Sequence, residues 1–182
     1  MSTIYLCGPI QGCTDTESHG WRDRIQKDYP MYTYLDPMVR DYRGREDDSF
    51  AEIVELDKLD ISESDILLVN WPGDKPSAGT SMEIIWGWLT DKLVVTVVNP
   101  KVKLSPWIKY HSHAIFTDWD EAMDFIFFHQ SKRKWREKQD PHWVKFEITP
   151  VDGANDPFDR LNRTVNNTLQ GQKANNEYRH AG

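Results

Sequence analysis

Cysteine is scarce in this 182-residue chain: Cys7 and Cys13 are the only two, so no disulfide framework holds the fold. Cys7 falls in an expected strand, and a reducing cytoplasm is the expected setting. Long apolar runs are missing as well. No stretch reaches membrane-spanning length and no signal peptide is visible, so neither a membrane partner nor export is expected. Positive charge is outweighed: 22 Lys and Arg against 29 Asp and Glu leave a net charge of -7, which argues against general binding to a nucleic-acid polymer. The local basic run Lys132-Arg133-Lys134, with Arg136 and Lys138, reads as a solvated helix end. Motifs are lacking too: there is no Cys/His cluster at metal-ligand spacing, no H-E-x-x-H, no G-x-S-x-G elbow, no P-loop and no G-x-G-x-x-G. No metal and no cofactor are therefore expected. The scattered His19, His111, His113 and His129 read as surface or satisfied core positions.

What the chain does have is an alternation of short apolar runs with helical patterns. Residues 3–8 (TIYLCG) read as a strand that empties into Gly8-Pro9-Ile10-Gln11-Gly12, a first βα turn able to bring backbone close to a ligand. A helix is expected from Glu17 to Tyr29, a strand from Met31 to Leu35, and a charged loop from Arg40 to Asp48. Ser49-Phe50-Ala51-Glu52 has the form of a capping box opening a helix to about Ser62. On that helix Phe50, Ile53, Val54 and Ile61 share a face with Asp57 in its middle, and a carboxylate on such a stripe is costly unless partnered or at a pocket edge. Asp65–Trp71 and Leu93–Val98 read as buried parallel strands. Ser105 caps a short helix, Ile115-Phe116 is a short last strand, and a final helix runs through His129. The pattern predicts an α/β fold, a flavodoxin- or Rossmann-like three-layer sandwich with about five parallel strands over residues 1–130. Residues 131–182 form an extension, with one added strand at Trp143–Ile148 and then loops or a poorly ordered end.

The stretch 72–88, PGDKPSAGTSMEIIWGW, stands where ligands of such sheets bind: a polar loop after a strand, Gly79-Thr80, then a helix with Glu83 near its start. Two readings of Glu83 compete. Thr80-Ser81-Met82-Glu83 matches a capping box, which makes the carboxylate structural. Alternatively Glu83 is a reagent, and with Asp57 it supplies the two carboxylates that chemistry at an anomeric carbon requires. Tyr5 on the first strand is placed to donate to one of them. Eight Trp and seven Tyr are mostly core or interface, although Trp71, Met82 and Trp107 are candidates to pack on a planar base.

Three segments taken together resemble the nucleoside 2-deoxyribosyltransferase superfamily: Ile4-Tyr5-Leu6-Cys7-Gly8-Pro9-Ile10-Gln11-Gly12, Asp57 with Asp65, and Ser77-Ala78-Gly79-Thr80-Ser81-Met82-Glu83. The resemblance spans roughly residues 3 to 129. It implies that Glu83 is the nucleophile that takes the deoxyribosyl group, that Tyr5 hydrogen-bonds it, and that Asp57 assists at base or sugar. It also implies a homodimer or higher homo-oligomer in which Ser105 completes the pocket of the other subunit. Serine at Ser77 and Ser105 matches the 2'-deoxynucleoside 5'-monophosphate N-glycosidase branch, whereas transferases carry Asp and Asn there. Gln11 departs from that branch, whose loop pattern C-G-S-I-R-G has arginine at this place; Lys75 or an arginine of residues 40–45 is the expected substitute. The implied substrate site comprises Gly8, Pro9, Ile10, Gln11, Gly12, Trp71, Ser77, Gly79, Met82 and Ser105 around the catalytic Glu83, Asp57 and Tyr5. The implied reaction is hydrolysis of a deoxynucleotide, with base exchange on deoxynucleosides as the alternative and nucleotide binding without turnover as a third reading.

Overall fold

Leu93–Val98 is apolar or β-branched at every position, and all six residues are buried in the centre of a parallel sheet. The computed structural model describes residues 1–75 and 77–130. In it the strands are β1 (Thr3–Cys7), β2 (Thr33–Leu35), β3 (Ile66–Trp71), β4 (Leu93–Val98) and β5 (Ala114–Phe116). They pair in the order β2-β1-β3-β4-β5, parallel throughout, with Tyr5 opposite Leu35 on one side and Leu67 on the other. This is the doubly wound order whose switch point lies between β1 and β3. The helices are α1 (Asp15–Asp28), α2 (Glu46–Glu63), α3 (Ala78–Leu89), α4 (Pro106–Tyr110) and α5 (Trp119–Gln130).

Because side chains alternate along a strand, each face of the sheet builds its own core. Ile4, Leu6, Ile66, Leu68, Val95 and Val97 pack with Ile25 of α1 and Met123 and Ile126 of α5. Tyr5, Cys7, Leu67, Val69, Val94 and Val98 pack with Ile61 of α2, Ile84 of α3 and Ile108 of α4. The result is a three-layer α/β sandwich, as the alternation of elements predicts. Tyr5 and Cys7 share the face that carries α2 and α3, and that parity places the site.

Three helix starts differ from the sequence reading. α1 opens two residues early, at Asp15, and its capping box is Thr14 with Glu17, both halves of which are formed. α2 begins at Glu46 with Glu46, Asp47 and Asp48 in its first turn, where negative charge suits the helix dipole, so Ser49 lies inside the helix. α3 begins at Ala78 after Ser77, and Ser81 bonds back to the Ser77 carbonyl through both N–H (2.9 Å) and hydroxyl (2.8 Å). Thr80 is therefore a buried helical residue and Glu83 sits in the second turn. No Thr80–Glu83 capping box exists, so Glu83 does not cap α3. The boundary at 131, the added strand at 143–148 and the basic run fall outside the described residues.

Candidate active site

β1 ends where its backbone must pass between Trp21 and Asn70. A Cβ on Gly8 would stand 3.1 Å from the Trp21 ring and 3.2 Å from Asn70 Cβ, so a larger residue at the first position of the turn leaving β1 would press its neighbours aside. The same turn is held from behind by Arg22, which is fully buried on α1. Its guanidinium donates to the Leu6 carbonyl (3.3 Å), the Gly8 carbonyl (3.0 Å) and the Ser18 carbonyl, and it pairs with Asp36 at 3.4 Å. Four acceptors around one buried cation are what such a group needs to be tolerated.

In front of this turn is a cavity of about 740 Å3, lined by Gly8 to Gln11, by residues of the 37–43 segment, by one face of α2 and by the start of α3. Phe50, Ile53, Val54, Asp57 and Ile61 all line it. The apolar stripe of α2 thus faces the cavity over most of its length, with Phe50 70% and Val54 48% exposed, and only Ile61 reaches the core. Asp57 is at a pocket edge, as its cost on that stripe demands.

Glu83 lines the cavity from α3. The Cys7 thiol donates to its Oε2 at 2.9 Å. Burial, and then the charge of Asp57, push the Glu83 carboxyl up to about 7, against the opposing pull of Cys7, Arg22 and Tyr5. Burial also raises Asp57, and Arg40 opposes it from 3.4 Å while making a second ion pair to Asp60. Tyr5 is completely buried. Its hydroxyl feels the negative charge of both Glu83 and Asp57, and burial together with those charges raises it well above its usual value. Yet the hydroxyl makes no hydrogen bond of good geometry. A neutral O–H buried between two carboxyls is a donor held ready, because an unused donor is costly until a rearranged carboxylate takes it. Two carboxyls that burial pushes up, the charge of Asp57 raising Glu83 further, beside a hydroxyl donor, are equipped for acid–base chemistry.

The structure brings Gly8, Pro9, Ile10, Gln11, Asp57, Gly79, Met82 and Glu83 to one cavity. Tyr5 stands behind its wall. Gly12, Trp71, Ser77 and Ser105 do not line it: Trp71 packs against the core at the end of β3, Ser77 is the residue before α3, and Ser105 caps α4 by accepting from Ile108 N–H at 3.3 Å. Trp107 is exposed and stacks on His111. The expected replacement cations are already engaged, Lys75 with Glu17 at 2.8 Å and Arg43 with Asp15 and Asp41. The lining carries three cations, Arg40, Arg43 and Lys58, against five carboxylates, Asp41, Glu46, Asp47, Asp57 and Glu83. Sequence reasoning missed Arg22 and Cys7 as site residues, and reached Arg40 only as one of the arginines of residues 40–45. Arg22 had a signal, a cation three residues before Ile25 on the buried face of α1; Cys7 shares parity with Tyr5.

No family model matches the sequence, and no curated protein matches it. Among solved structures the chain is similar to a 2-deoxyribosyltransferase from Bacillus psychrosaccharolyticus, with TM-score 0.57 and 18% identity over 66% of this chain and 89% of that one. It is also similar to a CMP N-glycosidase of Clostridium botulinum, with TM-score 0.46 and 17% identity over 70% of this chain and 98% of that one. A conserved protein of Enterococcus faecalis V583 matches with TM-score 0.46 and 15% identity over 70% and 87% of the two chains. The first likeness shows a shared fold, the five-stranded parallel sheet between helices.

Proposed function

We propose that this chain is an enzyme that cleaves the N-glycosidic bond of a 2'-deoxynucleoside 5'-monophosphate, and that it does so by hydrolysis. The observation that carries the reading is the Glu83–Asp57 pair, with Tyr5 buried beside it, at a cavity of nucleotide size. Glu83, ionised, attacks C1' of the sugar; the C1'–N bond breaks, and its electron pair leaves with the base, which takes up the proton of Asp57. Water then attacks C1' of the glycosyl ester, giving its proton to Asp57, and Glu83 departs as carboxylate. Tyr5 donates to whichever carboxylate carries charge, steadying Glu83 before attack and after release. A sugar without a 2'-hydroxyl reaches the oxocarbenium-like state more easily, which favours deoxyribose.

The uncapped start of α3 supports the 5'-phosphate. Ala78, Gly79 and Thr80 line the cavity and the Ser77 side chain makes no capping bond, so first-turn N–H groups are open to an anion. The paired cations and acidic lining favour the second reading, exchange of bases on unphosphorylated deoxynucleosides, because a phosphate has to draw Arg40 or Arg43 away from carboxylates. Incubation with deoxynucleosides and with their monophosphates, with and without an acceptor base, separates the two. Free base and deoxyribose 5-phosphate from the monophosphate is the expected result. Base exchange on nucleosides with intact monophosphates overturns it in favour of transfer, and binding without turnover leaves a nucleotide-binding module. We also propose a homodimer, with Ser105 and the exposed Trp107 of α4 at or near the contact.

A further inference from the structure

We propose that Cys7 is a positioning residue for Glu83: its thiol holds one carboxylate oxygen, Oε2, and leaves the other to act on the ligand. The inference rests on the reading of Glu83 as nucleophile but adds a residue to which that reading assigns no role.

The geometry has three parts. Cys7 is the last residue of β1 and fully buried, so strand and core fix its Sγ. Sγ lies 2.9 Å from Glu83 Oε2 and 3.9 Å from the Thr80 carbonyl, so the carboxylate is the favoured acceptor of its proton. The Tyr5 hydroxyl, the donor one would expect to orient Glu83, has no hydrogen bond of good geometry. Among the described residues, the hydrogen bond of good geometry that orients Glu83 is therefore the thiol's. Burial, followed by the charge of Glu83, keeps the Cys7 thiol protonated well beyond its usual range, so it remains a donor at any working pH and is no nucleophile itself. A nucleophilic carboxylate gains from such a tether, because a held oxygen restricts rotation and aims the free one. The charged and titratable groups that act on Glu83 are Asp57 on α2, Cys7 and Tyr5 on β1 and, through the field alone, Arg22 on α1. Of these, Cys7 donates to it at 2.9 Å, while Arg40 acts one step away through Asp57.

The test uses the full chain with Cys7→Ala, which removes the donor, and Cys7→Ser, which restores one. The Glu83 carboxyl is titrated directly by carbon NMR on glutamate-labelled protein, its resonance assigned by loss in Glu83→Gln. Removing a donor from the ionised form raises its proton affinity, so the titration midpoint in Cys7→Ala moves up by about one pH unit, tenfold in affinity. Cys7→Ser stays close to wild type. In turnover, Cys7→Ala loses at least about tenfold in kcat with KM little changed, its acid limb moves up with the titration, and Cys7→Ser recovers most of the loss. A Glu83 titration identical in wild type and Cys7→Ala overturns the proposal whatever the substrate. Absence of turnover in wild type on every nucleoside and nucleotide overturns the functional reading instead, and the titration still decides Cys7. If Cys7→Ala does not fold, the infrared S–H stretch of Cys7 decides: it rises in frequency in Glu83→Ala if the thiol donates to that carboxylate, and stays unchanged if it does not.

Discussion

Glu83 is a carboxyl whose location costs stability. Its folded value, about 7, lies above the ordinary 4.5 for glutamate, so the fold binds its proton more tightly than the unfolded chain does. The stability it contributes is fully present below the unfolded value and is lost as pH rises through the folded one. Glu83→Gln, which cannot ionise, is therefore expected to melt above wild type near pH 8, by about 1–3 kcal/mol, and to converge with it near pH 5. A capping carboxylate predicts the opposite sign, a loss of about 0.5–2 kcal/mol. Calorimetry at the two pH values distinguishes them. The same variant is expected to lose at least about 10³-fold in turnover, near 4 kcal/mol of transition-state stabilisation. Stability gained where activity is lost is the usual mark of a functional group kept in an unfavourable place. For wild type, kcat/KM on the best substrate is expected to fall on the acid side of about pH 7, where Glu83 becomes protonated and cannot attack.

At the level of elements, two contacts hold the frame of the cavity. Arg22 joins α1 to the end of β1 and to Asp36 through one buried guanidinium. Arg22→Leu leaves the carbonyls of Leu6 and Gly8 short of a donor and the Asp36 carboxylate without its cation. We expect a loss of about 3–5 kcal/mol, read from the urea midpoint, and weaker ligand binding because the Gly8–Gln11 turn loses its support. On the other side, α3 lies so close to β3 that a Cβ on Gly87 would stand 2.6 Å from Leu67 Cδ2. Gly87→Val is expected to cost about 1–3 kcal/mol by pushing α3 off the sheet, although valine is the better helix former. Because Glu83 is on the same helix one turn earlier, that variant should also lower kcat. A stable, fully active Gly87→Val would show that α3 can shift without moving its carboxylate.

For the whole molecule the open matter is association. Among the described residues no helix is long and apolar enough to cross a membrane. Met82 at 69% and Leu89 at 68% exposure nevertheless leave an apolar strip on α3, and Trp107 of α4 is 69% exposed. A second copy of the chain is the partner that the proposed homodimer supplies. Sedimentation equilibrium at micromolar concentration is expected to show a dimer, and Leu89→Asp to shift it toward monomer. Monomer alone in the wild type, or unchanged activity in Ser105→Ala, would count against Ser105 entering a shared pocket. Some stability change in that variant is expected in any case, about 1 kcal/mol, because Ser105 caps α4.

The sequence by itself determined the architecture, because continuous β-branched runs such as Leu93–Val98 can only be covered on both faces and period-2 parity sorts β1 into two cores. It also singled out Asp57 and Glu83, since a carboxylate on an apolar stripe and one just after Gly79-Thr80 at a strand-to-helix crossing are both locally anomalous, and the structure brings both to one cavity. Helix starts were less legible: a T-x-x-E pattern caps at Thr14 and not at Thr80, because nothing in the four residues says where the chain enters the helix. Tertiary structure alone decided that the stripe of α2 faces a cavity, that Lys75 and Arg43 are tied to carboxylates, and that a thiol holds Glu83. Those are contacts between residues distant in the chain, 76 apart for Cys7 and Glu83, and no local pattern encodes a distance of that kind.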